Sequence, residues 1–191
     1  MIERWLEALV STPGLTSVAS EDARRVHYDD SLRAVEVVRQ FEGPIVDVGS
    51  GGGAPGVPLA IALPEREVTL LEANRRKCEF LERWARELPN ARVVCGRAEE
   101  QPVDVYGVAV AKALAPPPVA AEWCLPLVVP GGAAVLFTGP SVDREPVACV
   151  AGQLGGELAD GPSGLLVLRK LEPTPAGFPR RPGVARKRPL A

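Results

Sequence analysis

From residue 44 onward the chain alternates between two hydrophobic periods. PIVDVG (44–49) is a short apolar run, PGVPLAIAL (55–63) places its apolar residues at helical spacing, and EVTLLEA (67–73) returns to a run. NRRKCEFLERWAREL (74–88) is amphipathic, with Cys78, Leu81, Trp84, Ala85 and Leu88 on one face. ARVVCG (91–96) reads as a third strand. VYGVAVAKA (105–113) reads as a fourth, apolar almost throughout, as expected of a strand buried on both faces. AAEWCLPLV (120–128), GGAAVLFTG (131–139) and REPVACVAGQLG (144–155) continue as helix, strand and helix. ELAD and GLLVLRKLE can then close the sheet as a hairpin. Strand–helix alternation at this spacing predicts an α/β fold: a doubly wound, mostly parallel, Rossmann-like sheet with right-handed crossovers.

The first forty residues have a different pattern. WLEALV is helical and ends at Pro13-Gly14; Ser20 then precedes EDARRVHYDDSLRAVEVVRQF, where it can cap a helix with Glu21 and Asp22 in its first turn. The expected organisation is one domain: an N-terminal helical cap (1–43), a core (44–172) and a basic, Pro-rich tail (173–191). With 46% hydrophobic and 24% charged residues among 191, the chain can fill a core and remain soluble. MIERWLEALV carries Glu3, Arg4 and Glu7, so it reads neither as a signal peptide nor as a membrane span.

Cys78, Cys95, Cys124 and Cys149 form no CxxC pair and have one histidine in the chain to assist. The expectation is four reduced, mostly buried thiols, no metal, no membrane and a cytoplasmic location. A net charge of −2 argues against a surface that binds nucleic acid everywhere, but the charge is uneven. FPRRPGVARKRPLA holds Arg180, Arg181, Arg186, Lys187 and Arg188 without an acid, so it is either a solvated end or a phosphate-contacting one.

The densest chemistry is DVGSGGGAPGVPLA (47–60). Glycines begin where the first strand ends, the position at which open parallel sheets bind ligands. Gly49, Gly51, Gly52 and Gly53 permit a sharp turn and close backbone approach. Pro55 and Pro58 suit a first helical turn, whose N–H groups have no intrahelical partner. Gly51-x-Gly53-x-x-Gly56 matches GxGxxG, but no GK[ST] follows for a phosphate loop. Asp47 fits the D-x-G-x-G loop of S-adenosylmethionine (SAM) methyltransferases, where a carboxylate can face the cationic end of the cofactor. Glu72, ending the second strand, can accept from both ribose hydroxyls. It suits NAD equally, so Asp47 alone favours SAM.

With these residues in place, the chain resembles the RsmG family, also called glucose-inhibited division protein B. LTSV (15–18) and His27-Tyr28-Asp29-Asp30-Ser31-Leu32 are similar to its N-terminal signature, DVGSGGGAPGVPLAIALPE to its cofactor loop, LLEANRRKCEFLERW to the following unit, GRAEE (96–100) to its adenine-holding segment, and FPRRPGVARKRPL to its ending. The resemblance implies SAM-dependent methyl transfer to N7 of a guanine in 16S ribosomal RNA, with the RNA or the small ribosomal subunit as partner and a monomeric enzyme. It implies cofactor contacts from Asp47, Gly49, Gly51, Gly53, Ala54, Glu72, Ala98, Glu99 and Lys112, with Lys112 also catalytic. It implies RNA contacts from His27 and the tail cations Arg180, Arg181, Arg186, Lys187 and Arg188. Three positions depart from the family: Ala54 replaces a larger apolar residue, Lys112 an arginine and Thr138 a lysine.

The chemistry agrees with this set. Guanine N7 has a free lone pair and no proton, so alignment rather than a general base is needed. Ala115-Pro116-Pro117-Pro118 lacks the polar acceptor and aromatic stacker that accompany exocyclic amino methylation. Cys124 reads as a helix core position, and His27 as either an RNA contact or a partner of Asp30. The rival readings are a SAM methyltransferase acting on a small molecule and a SAM- or RNA-binding homologue without catalysis.

Overall fold

The runs that read as buried strands lie in the middle of a sheet. In the computed structural model, which describes residues 1–139 and 141–191, β1 (Ile45–Val48) and β2 (Val68–Glu72) are buried throughout, and β4 (Tyr106–Lys112) is buried except at Lys112. β3 (Ala91–Cys95) and β6 (Gly156–Ala159) have mixed burial and form the two edges. With β5 (Val128–Phe137) and β7 (Leu165–Lys170), the described residues form a seven-stranded sheet in the order β3-β2-β1-β4-β5-β7-β6. All pairings are parallel except β5–β7 and β6–β7. The hairpin read at the end of the core is present, with β7 inserted between β5 and β6. The order reverses between β1 and β4, so their carboxyl ends open the ligand crevice.

Two apolar layers cover the sheet. On one face, α1 (Ile2–Ser11), the other N-terminal helices, α5 (Gly56–Ala62) and α6 (Arg75–Ala85) pack through Trp5, Leu9, Val38, Leu59, Leu63 and Leu81. On the other, α7 (Pro117–Cys124) and α8 (Glu145–Gln153) pack through Ala121, Cys124, Val147 and Val150. α6 buries Cys78, Phe80, Leu81 and Trp84 and is capped by Asn74, whose side chain accepts from the Lys77 N–H at 3.3 Å.

Three expectations need correction. The helix expected from residue 21 to 41 is broken into α2 (Ser20–Ala23), a π-helical stretch (Arg24–Asp29), α3 (Asp30–Leu32) and α4 (Val35–Val38). Ser20 is its first residue and makes no side-chain cap; Ala19 occupies the cap position. The thiols are not all reduced: Cys78 and Cys95 are cross-linked, with Cα atoms 5.9 Å apart, leaving Cys124 buried and Cys149 exposed. Parallel pairing of Glu72 with Cys95 carries Cys95 to the end of β2, where α6 starts, a juxtaposition that spacing in the chain does not reveal. The basic tail, for which a solvated end was one reading, is packed against the core through its apolar residues. Phe178 and Leu190 lie against the second layer, and Ala185 in α9 (Val184–Lys187) is 2% exposed.

Candidate active site

β1 delivers Asp47, fully buried, to the base of the glycine turn. Its Oδ2 accepts the Gly56 N–H at 2.9 Å, while Oδ1 is buried without a protein partner among the described residues. Burial pushes this carboxyl up to about 7, the neighbouring Glu72 charge adds to the rise, and the Gly56 N–H opposes it. Gly49, Gly51 and Gly53 adopt left-handed φ values of 72°, 57° and 106°. At Gly49 a Cβ would also press on the end of the Leu114 side chain, which can move, so it is the backbone conformation that demands glycine. Trp5 pins the turn from α1, its Nε1 donating to the Gly52 carbonyl at 2.9 Å.

Glu72, at the end of β2, is oriented by two backbone donors. Oε2 accepts the Gly51 N–H at 2.9 Å and Oε1 the Asn74 N–H at 2.7 Å. The carboxylate faces a cleft of about 310 Å³ also lined by Gly49, Ala98, Glu99, Leu114, Trp123 and Arg186. A second cleft, about 330 Å³, lies between the N-terminal segment and the glycine turn, lined by Thr16, Val26, His27, Gly51, Ala54 and Lys112. Gly49, Lys77 and Ala113 line both. Ala113 holds φ 52°, an uncommon conformation for a side-chain-bearing residue, and turns the chain out of β4 at this junction.

The structure thus groups Gly49, Glu72, Ala98 and Glu99 in one cleft and His27, Gly51, Ala54 and Lys112 in the other. Asp47 and Gly53 line neither; they act on the turn itself. Lys112 is already engaged: its Nζ lies 2.5 Å from the Val26 carbonyl and 2.7 Å from Asp30 Oδ2, and 5.3 Å from the Phe137 ring centroid. It braces β4 against the N-terminal helices. In the π-helical stretch the Asp30 N–H reaches back to the Arg25 carbonyl, and the Val26 carbonyl takes the lysine. His27 pairs with Thr16 Oγ1 at 2.8 Å rather than with Asp30. Burial and the Lys112 charge lower its pKa, favouring the neutral ring.

The tail cations divide. Arg180 is bound to Glu122 and Arg186 lines the first cleft, while Arg181, Lys187 and Arg188 are exposed and make no ion pair among the described residues. Sequence reasoning did not single out Lys77, Leu114 or Trp123. For Lys77 a signal existed, in the first turn of the helix following the second strand. The Cys124 thiol is buried and its pKa is pushed far up, which excludes it as a nucleophile.

An orphaned buried carboxylate oxygen beneath a glycine turn, a cleft that a Cβ at Gly49 would disturb, and two carboxylates lining that cleft fit SAM. Over residues 5–149 the chain matches the family GidB, described as rRNA small subunit methyltransferase G. It is 38% identical to the ribosomal RNA small subunit methyltransferase G of Carboxydothermus hydrogenoformans, an alignment covering 100% of this chain and 91% of that protein. It is 38% identical to the protein of the same name from Synechococcus elongatus, covering 86% and 76%. In fold it is similar to the SAM-bound magnesium protoporphyrin IX methyltransferase of Synechocystis (TM-score 0.63, 13% identity, 86% and 89% covered). It is also similar to the Thermus thermophilus 16S rRNA N2 G1207 methyltransferase in complex with AdoMet and guanosine (TM-score 0.54, 17% identity, 78% and 41% covered).

Fold, glycine turn and acidic cleft define a SAM-dependent methyltransferase. Within that class, the extent of the match settles the lineage. The chain belongs to the rRNA small subunit methyltransferase G (GidB) family.

Proposed function

We propose that this enzyme methylates N7 of a guanine in 16S ribosomal RNA. The observation that carries the reading is the meeting of the two clefts at Gly49 and Ala113, in a chain of this family. SAM bound in the first cleft supplies a methyl group already activated by its sulfonium. Glu72 takes the ribose hydroxyls, and Ala98 and Glu99 hold the adenine. Asp47 keeps the turn closed through Gly56 and offers its unpartnered oxygen beneath the cationic end. The second cleft, walled by Thr16, Val26 and His27, receives the target base. No carboxylate lines the junction, and N7 has no proton to remove, so the protein's task is to align the nucleophile with the methyl group. Lys112 contributes as a positioning residue, ordering the wall through Asp30 and Val26. Arg181, Lys187 and Arg188 contact phosphates outside the cleft. A ribosomal RNA substrate also implies a cytoplasmic enzyme; among the described residues no helix is long and apolar enough to cross a membrane.

The test is methyl transfer from labelled SAM to small ribosomal subunits, and to their naked RNA, from a strain lacking the endogenous enzyme. Borohydride–aniline cleavage then locates N7-methylguanine. Cleavage at one guanine is expected. Label on an exocyclic amino group, or transfer only to small molecules, would overturn the reading.

A further inference from the structure

The C-terminal segment, whose cations read as a possible RNA-contacting arm, turns two of them inward. Arg180 meets Glu122 on α7 with both ends of its guanidinium: Nε to Oε1 and NH2 to Oε2, each at 2.5 Å. The Glu122 side chain is 3% exposed and that of Arg180 22%. A carboxylate removed from water is costly unless it is paired, and a bidentate guanidinium is the pairing that fixes orientation as well as charge. Three residues further on, the Gly183 N–H donates to Glu99 Oε1 at 3.1 Å. Arg186 then lies with its Cζ 5.4 Å from the Trp123 ring centroid. Trp123 Nε1 is buried with no hydrogen-bond partner among the described residues. Gly183, Arg186, Trp123 and Glu99 all line the cleft that contains Glu72. Ala185, 2% exposed, anchors the segment between these contacts.

We propose that segment 178–190 is a wall of the cofactor site, in which Arg186, backed by Trp123, contacts the adenosine end of SAM and Arg180 is the positioning residue that holds it there. The proposal rests on the assignment of this cleft to SAM. A guanidinium plane stacks on an aromatic face, and adenine offers one where Arg186 meets the cleft. The segment therefore serves the cofactor as well as the RNA, with Arg180 and Arg186 facing in and Arg181, Lys187 and Arg188 facing out. It also lies beyond residue 149, where the family match ends, so the wall is built by a part of the chain outside the matched core.

Calorimetric titration with SAM and with S-adenosylhomocysteine tests this on the full-length protein. Arg186→Ala should weaken both ligands equally, by about three- to tenfold, because they share the adenosine and differ only at the methyl. KM for SAM should rise by the same factor, with kcat at saturating SAM unchanged. Arg180→Ala should reproduce the shift, and Arg180→Lys, which keeps the charge without the fork, should restore it only in part. Arg39→Ala, on the opposite, N-terminal part of the chain, should leave SAM affinity unchanged. Should Arg180→Ala fail to fold, Arg186→Ala carries the test, because its side chain is solvent-exposed beyond the stack. Unchanged SAM affinity in folded Arg186→Ala would overturn the proposal, whether or not RNA binding falls. Failure of the wild-type protein to bind SAM would overturn the cofactor assignment and this proposal with it.

Discussion

The two clefts that meet at Gly49 and Ala113 are assembled on opposite plans. Most of the first cleft comes from one contiguous stretch, 48–99, in which the end of each strand brings the next lining residues: Gly49, then Glu72, then Ala98 and Glu99. The second is put together from distant pieces, with Thr16, Val26 and His27 laid against the glycine turn and against Lys112. The first is local backbone chemistry; the second exists only because α1 and its successors dock on the sheet. The difference teaches that this enzyme's cofactor chemistry is held by strand ends, while its access and shape are set by the two termini.

That contrast can be broken most forcefully at Trp5, where the N-terminal part grips the turn. Trp5 is fully buried, so Trp5→Ala should cost about 3–5 kcal/mol in urea unfolding. It should also weaken SAM binding by freeing Gly52, whereas Trp5→Phe should keep most of the stability. A Trp5→Ala protein with wild-type stability and SAM affinity would show that the cap and the cofactor turn are independent.

Within the local half, the Cys78–Cys95 link joins α6 to the end of β3 across a sequence separation of 17. Reduction should lower stability by about 3 kcal/mol on a chain-entropy account. Thermal melts with and without reductant, alongside Cys78→Ser, check this; coincident melts would remove the link from the ledger of stabilising contacts.

Next in size is Gly49→Ala, which forces an L side chain into φ 72° and against Leu114. SAM binding should weaken about tenfold or more, with Leu114→Ala in the same chain recovering part of the loss. Additive effects of the two substitutions would show that the collision does not decide the loss.

The last comparison is a pH slope. Asp47 titrates near 7 when folded against 3.8 unfolded. Between about pH 4 and pH 7 the folded chain thus keeps a proton that the unfolded chain has released. Stability should fall as pH rises through that window and level off above it. Asp47→Asn, which retains an oxygen for the Gly56 N–H, should flatten the slope; identical slopes in both proteins would contradict this origin.

Much of the molecule was legible in the chain because its determinants are local. Apolar runs and helical spacing identified the strands and most helices. Glycines at the end of β1 and an acid at the end of β2 marked residues that the structure brings to one cleft, since a residue at a strand terminus has little choice of direction. The same reasoning failed where the partner is remote in sequence. Lys112 lines the second cleft, but its bonds to the Val26 carbonyl and Asp30 were not foreseen. For His27, pairing with Asp30 was one of two readings, and the structure pairs it with Thr16 instead. The helix from Ser20 is interrupted by a π-helical turn whose Val26 carbonyl accepts from a lysine more than eighty residues away.

By itself, then, the sequence determined the doubly wound sheet, the glycine turn and the acid at the end of β2, because each follows from hydrophobic period or from backbone geometry at a strand end. Only the tertiary structure decided that Cys78 and Cys95 are linked, that Lys112 is a brace, and that Arg180 and Arg186 turn inward. Those outcomes depend on which buried charge or thiol finds which partner. Burial makes an unpaired group costly, and the fold alone determines who stands near enough to pair with it.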